Sequence, residues 1–217
     1  MPTAARNVYI ARHGNRIDFV DKTWKASAAR PRDPHLSPDG VEQARKLGRR
    51  LKGAGIRHLF CSPFYRCVET AFHVAEALDL PIRIEHGACE WLKPEWFPEM
   101  PDFLPPEVLA RTFPRVDTGY RSLIRPEYPE HDERTQTWPR CAQTIRALLA
   151  SCAGDLLVIG HGASFNGLAY GLLEGEPELH GGLTALAHLA QREAGWELLL
   201  AGCQAHLEDA EGELRFN

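Results

Sequence analysis

Two runs of strand-forming residues, far apart in the chain, each end in a histidine beside glycine, and this pairing constrains the fold more than any other feature. Asn7-Val8-Tyr9-Ile10-Ala11 leads into Arg12-His13-Gly14, and Asp155-Leu156-Leu157-Val158-Ile159 leads into Gly160-His161-Gly162. The second run is almost continuously apolar, the pattern of a strand buried on both faces. Such a strand needs helices on either side. Ser37 and Pro38 suit the cap and first turn of a helix whose apolar positions are Val41, Ala44, Leu47 and Leu51, ended by Gly53 and Gly55. Ile56 to Cys61 and Ile82 to Ile84 read as strands, and Phe64 to Leu78, Glu133 to Ser151 and Ala163 to Leu173 as helices. Leu183 to Gln191 and Trp196 to Ala201 read as a hairpin turning at Glu193-Ala194-Gly195. The predicted fold class is α/β: a three-layer α/β/α sandwich with a mostly parallel central sheet and a C-terminal hairpin at one side.

Two stretches interrupt this alternation. Asn15 to Leu36 reads as a polar loop. Between Gly87 and Pro129 lie eight prolines and several aromatics, which exclude a long regular element. A short helix near Glu107 to Arg111 is expected inside an ordered insertion over about 87–130, the kind of segment that forms lids and binding loops. The chain has 217 residues, which suits one domain over 1–217.

Charge and composition remove several function classes. A net charge of −4 gives no global attraction to nucleic acid or anionic membrane. No apolar stretch approaches the roughly 18 residues of a membrane span. The first apolar run, Val8 to Ala11, is too short for a secretory leader, so a cytoplasmic location is expected. Six irregularly spaced cysteines with no Cys-x-x-Cys pair argue for free thiols over a zinc site or disulfide framework. Of these, Cys67 is read as a packing residue.

In open α/β sheets, ligands bind outside the carboxyl ends of strands, so His13 and His161 are expected to face one another there. A third strand delivers Ser62-Pro63-Phe64-Tyr65-Arg66, placing Arg66 in the first turn of a helix. A cation there opposes the helix dipole, which points to another task for it. With Arg12 and Arg16 it completes a set of planar, forked donors matched to a tetrahedral dianion.

These residues resemble a known family. Arg12-His13-Gly14, Leu36-Ser37-Pro38-x-Gly40-x-x-Gln43-Ala44, Ser62-Pro63-x-x-Arg66-x-x-x-Thr70-Ala71, a Glu after the third strand and the second His-Gly are similar, in order and spacing, to the histidine phosphatase superfamily, phosphoglycerate mutase-like branch. Arg16-x-Asp18-Phe19, Glu90-Trp91, Leu104-Pro105-Pro106 and Val116-Asp117-Thr118-x-Tyr120-Arg121 look like the phosphatase domains of the Sts (TULA) and ecdysteroid-phosphate phosphatases. Asn15 departs from that pattern, in which an acidic residue is usual.

The resemblance implies a metal-independent phosphomonoesterase with no cofactor. His13 would be the nucleophile, forming a phosphohistidine. Its second ring nitrogen would be held by a backbone carbonyl such as that of Gly14. Arg12, Arg16, Arg66 and His161 would hold the phosphate oxygens, and Glu90 would act as general acid and then base. Glu85, Glu95 and Glu99 compete with Glu90 for that role. Trp91, Trp96 and Phe97 are candidates for a rim selecting an aryl or other hydrophobic alcohol phosphate, or phosphotyrosine. They and Phe103 equally suit a small core under the insertion. An exposed edge in the hairpin could pair two copies into a homodimer. The competing readings are a phosphoglycerate mutase-type phosphotransferase, a non-catalytic phospholigand module and a metal hydrolase using both histidines; Arg16 argues against the mutase.

Overall fold

A computed structural model describes residues 6–208 of the chain. Its centre is a six-stranded sheet in the order β3-β2-β4-β1-β5-β6. The strands are β1 (Asn7–Arg12), β2 (Ile56–Cys61), β3 (Ile82–Ile84), β4 (Asp155–Gly160), β5 (Leu186–Arg192) and β6 (Gly195–Cys203). The first four pair in parallel, whereas β5 pairs antiparallel with β1 and β6 antiparallel with β5. The hairpin thus extends one side of the sheet, as its sequence pattern predicts.

Strand alternation sorts the core into two layers. Tyr9, Ala11, Leu157 and Ile159 face one side and pack against Leu47 and Leu51 of α3 (Pro38–Leu51) and Val68, Ala71 and Val74 of α4 (Tyr65–Leu78). Val8, Ile10, Leu156 and Val158 face the other, against Ile145 and Leu148 of α6 (Trp138–Ser151) and Phe165 and Leu168 of α7 (Gly162–Tyr170). Every one of these strand residues is at most 8% exposed, so neither face of the two central strands meets solvent.

The structure corrects three local expectations. The stretch after β1 is not simply a loop. It carries two single helical turns, α1 (Ile17–Val20) and α2 (Trp24–Ser27), stitched by Asp21 N–H to the Ile17 carbonyl at 2.8 Å and Ala28 N–H to the Trp24 carbonyl at 3.1 Å. The helix predicted to start at Glu133 begins as a π-turn over Glu133–Thr137 and becomes α only at Trp138. Pro139 explains this: it lacks an N–H and its ring crowds the carbonyl four residues back, so it tolerates only the opening turn of an α-helix. The helix after β4 stops at Tyr170 and β5 starts only at Leu186.

The proline-rich stretch divides between two tasks. Leu109 of α5 (Pro106–Thr112), Phe113 and Val116 join the main core. Ile82 N–H donates to the Arg115 carbonyl and Asp117 N–H to the Ile82 carbonyl, both at 2.8 Å, which covers the outer edge of β3. The remainder forms a small separate core of Phe64, Cys89, Leu92 and Phe97, flanked by Phe103 and Tyr128.

Candidate active site

The in-register pairing of β1 with β4 sets Arg12 opposite Gly160, so the residues that follow, His13 and His161, leave the sheet side by side. His13 N–H donates to the Gly160 carbonyl at 3.0 Å, and the two rings stand 5.3 Å apart, centre to centre, at 66°. Both are almost fully buried.

The chain holds His13 by close backbone approach. Gly14 N–H donates to Thr70 Oγ1 (3.1 Å), which in turn donates to the Arg66 carbonyl (2.7 Å). Asn15 N–H donates to Gln43 Oε1 (2.9 Å), and Ser37 N–H to the Asn15 carbonyl (2.9 Å). The start of α3 presses so closely here that a Cβ on Gly40 would lie 2.1 Å from the Asn15 carbonyl oxygen, and one on Gly14 2.6 Å from that of Gly40. The departure at Asn15 also has a local reason: its amide donates to Asp39 Oδ2 at 2.6 Å, where a carboxylate would meet like charge.

Donor accounting assigns the imidazole protons. His13 Nδ1 lies 2.8 Å from the Gly14 carbonyl, an acceptor, so Nδ1 carries the proton and Nε2 keeps its lone pair. Arg66 Nη2, which can only donate, lies 3.0 Å from His161 Nδ1, so the uncharged His161 ring carries its proton on Nε2 and donates it to Ser62 Oγ at 2.7 Å. Burial, then the charges of Arg66 and Arg12, hold His13 well below the ordinary imidazole range. Burial, Arg66 and His13 itself do the same for His161.

Three guanidinium groups gather around these rings. Arg66 is 2% exposed, and its Nε is buried with no hydrogen-bond partner among the described residues. A buried donor of this kind is a place for an anion's oxygen. Arg12 gives Nη1 to the Gly181 carbonyl at 2.6 Å. Arg16 is fixed by a fork on Asp18, Nε to Oδ1 at 2.9 Å and Nη2 to Oδ2 at 2.6 Å, with Lys25 Nζ 3.1 Å from the same carboxylate. Burial alone would raise the Asp18 carboxyl, but the hydrogen bonds from Arg16 and Lys25 outweigh it and hold it low. Phe19 lies under the Arg16 guanidinium at 4.2 Å.

Glu90 completes the group. Its Oε1 accepts from Trp91 N–H at 3.1 Å, and its Oε2 lies 3.5 Å from His161 Nδ1 and 3.8 Å from Arg66 Nη2. Its competitors are placed otherwise. Glu85 is wholly buried and accepts from Gly87, Leu123 and Ile124 N–H and from Tyr120 and Ser122 hydroxyls. Glu99 lines an adjoining cavity of about 370 Å³ beside Phe103, and Glu95 lines the cavity described next.

Arg12, Arg16, Arg66 and Glu90 line a cavity of about 540 Å³ with Trp91, Trp96 and Phe97. Trp96 is 49% exposed, whereas Phe97 is 6% exposed and also belongs to the small core, so the aromatic rim and the core share residues. Lys25 and Arg32 line the same cavity. Sequence reading missed both, because a lysine or arginine in a polar loop carries no local mark of where it points. It also took Cys67 for packing alone. The thiol is buried as expected, yet Sγ lies 3.4 Å from His161 Nε2. Among the described residues, no group of three or more His, Cys, Asp or Glu could hold a metal ion, and no helix is long and apolar enough to cross a membrane.

The geometry has counterparts among known proteins. The chain is 28% identical to the ecdysteroid-phosphate phosphatase of Drosophila melanogaster over 91% of its own length, and 29% identical to mouse ubiquitin-associated and SH3 domain-containing protein A over 96%. It spans only 32% and 39% of those relatives. In fold it matches the crystal structure of the silkworm ecdysone phosphate phosphatase in complex with tungstate, with a TM-score of 0.77 at 21% identity, covering 97% of this chain and 98% of that one. The family model for the histidine phosphatase superfamily (branch 1) matches residues 8–204, spanning both strand-end histidines, and the chain belongs to that superfamily.

Proposed function

We propose that this chain is a metal-independent phosphomonoesterase that works through a phosphohistidine on His13. The observation that carries this reading is the state of His13. Its Nδ1 proton is directed to the Gly14 carbonyl and its pKa is held low, which leaves Nε2 with a free lone pair near neutral pH. Arg12, Arg16 and Arg66 would neutralise the phosphoryl oxygens, whose charge grows in the transition state. His161 would support Arg66 in this; the charge of a bound dianion would favour uptake of a solvent proton at Nδ1, which His161 would then donate to a phosphoryl oxygen.

In the first step His13 Nε2 bonds to phosphorus as the ester oxygen leaves, and Glu90, protonated, gives its proton to that oxygen. In the second, Glu90 takes a proton from water, the water oxygen bonds to phosphorus, and the P–N bond breaks to return His13 and inorganic phosphate. The placement of Glu90 Oε2 beside Arg66 and His161 supports this assignment over Glu85, whose oxygens are held by protein donors.

The aromatic wall of Trp91, Trp96 and Phe97 favours a phosphomonoester of a hydrophobic alcohol or a phenol, phosphotyrosine included. The name of the fly relative, an ecdysteroid-phosphate phosphatase, fits a substrate of that kind.

The test is stoichiometry on a panel of phosphomonoesters after exhaustive chelation. Release of inorganic phosphate equal to alcohol formed is the expected result. Transfer between the monophosphates of glycerate, driven by the bisphosphate and without phosphate release, would identify a mutase. Loss of activity on chelation would identify a metal hydrolase, and binding without turnover a phospholigand module.

A further inference from the structure

The carboxylate assigned above to acid-base work sits on a loop, and the loop has no regular structure beyond one 3₁₀ turn at His86–Ala88. Something else must fix it, because an acid displaced by 1 Å loses much of its effect. That something is one side chain from α6. Arg140 is 8% exposed and reaches the loop from beneath. Its Nη1 donates to the carbonyls of Gly87 (2.5 Å) and Cys89 (3.3 Å), and its Nη2 to the carbonyl of Glu90 (3.2 Å). The remaining donors form a fork on Glu130, Nε to Oε1 at 2.6 Å and Nη2 to Oε2 at 3.0 Å. A guanidinium has five N–H groups, and these five oxygens, with Cys141 Sγ also 3.8 Å from Nη1, engage all three of its nitrogens.

Glu130 secures the far side of Glu90. Its Oε2 also accepts from Leu92 N–H (2.9 Å) and Thr137 Oγ1 (2.8 Å). Its backbone N–H donates to the Leu92 carbonyl (3.1 Å), and its carbonyl accepts from Trp91 Nε1 (2.9 Å). The loop is therefore gripped on both sides of Glu90 by a buried ion pair that touches neither histidine in any described contact.

We propose that Arg140 is a positioning residue for the acid-base carboxylate. It holds the 87–90 backbone where Glu90 can tie Oε1 to Trp91 N–H and present Oε2 to His161 and Arg66. This rests on the reading of Glu90 given under the proposed function. Lysine cannot replace arginine here: it keeps the charge but has three donors at one point, and cannot span a carboxylate and three carbonyls at once.

The experiment compares wild type, Arg140→Lys, Glu90→Gln and the double variant on aryl and alkyl phosphates, with orthovanadate inhibition as a readout of the oxyanion site. Arg140→Lys should lower kcat/KM on alkyl esters by about 10- to 100-fold, change kcat/KM on aryl esters by less than about threefold, and leave vanadate inhibition unaltered. In the double variant it should add less than about threefold to the loss from Glu90→Gln, because both act through one carboxylate. Glu130→Gln, nearly isosteric, should show the same preference for aryl esters and serves if Arg140→Lys does not fold. Equal losses on both ester classes, losses that multiply in the double variant, or vanadate affinity falling with rate would overturn the proposal while leaving the proposed function intact. Alkyl-ester rates unaffected by Glu90→Gln would overturn the reading of Glu90 itself, and this proposal with it.

Discussion

The two halves of the candidate site are positioned by different means. The imidazole half stands on the carboxyl ends of β1 and β4, where in-register pairing of buried strands places His13 beside His161. The carboxylate half stands on an irregular loop gripped by Arg140 and Glu130. A strand register is set by the whole apolar pattern of the sheet, and slipping it by one residue would move every side chain of these strands into the opposite layer of the core. The loop depends on a handful of side-chain bonds. The first arrangement suits a nucleophile, whose attack geometry tolerates little error. The second suits a group that must lose and regain a proton beside a changing ligand.

The difference can be tested by removing the chemistry from each half. His13→Ala should lower kcat by roughly 10⁴-fold or more on every ester, since bond formation to phosphorus is common to all of them. Steady-state rates on p-nitrophenyl phosphate check this, and activity retained within tenfold would break the account of the strand-end half. Glu90→Gln should lower kcat/KM by about 10²- to 10³-fold on alkyl phosphates and far less on aryl phosphates, whose leaving groups need little protonation; kcat/KM covers the steps only as far as ester cleavage, before the water attack common to both. Equal losses on both would move the acid to another carboxylate.

The smallest effect concerns stability. The folded pKa values of His13 and His161 lie below the ordinary imidazole value, so both stay neutral in the fold. Below about pH 6.5 the unfolded chain takes up protons that the folded site refuses. Stability should therefore fall as pH drops through that value, with a slope that approaches about 1.4 kcal/mol per pH unit for each of the two groups once the unfolded imidazoles are fully protonated, until their folded pKa values are reached. Urea unfolding between pH 7.5 and 5.5 measures this slope. His13→Ala should remove its share, and a slope unchanged by that substitution would show that His13 is not held neutral.

The same contrast explains what could be read in the sequence. His13, His161 and the strands beneath them were legible because apolar runs and the glycines beside the histidines are local signals. Arg66 was legible because a cation in the first turn of a helix opposes the dipole and so invites another purpose. The Arg140–Glu130 pair was not. Its partners on the loop lie 50 to 53 residues away from Arg140, and no spacing rule connects them. The one mark it leaves is a charge beside the buried positions Cys141, Thr144 and Ile145 of α6, which becomes meaningful only once that helix's buried face is known. The π-turn before Pro139 and the two helical turns after Arg16 were missed for a related reason, since elements of one turn have too few residues to show a period.

The most direct test of the account is to trap the covalent intermediate. Phosphorus-labelled aryl phosphate, mixed with the wild type and with Glu90→Gln and quenched during turnover, should leave label in an acid-labile, alkali-stable bond on the peptide that carries His13. More label should accumulate in Glu90→Gln, because an aryl group leaves without the acid while attack by water lacks its base. Label on any other residue, or none on either protein while phosphate is being released, would contradict the assignment of His13 as the nucleophile.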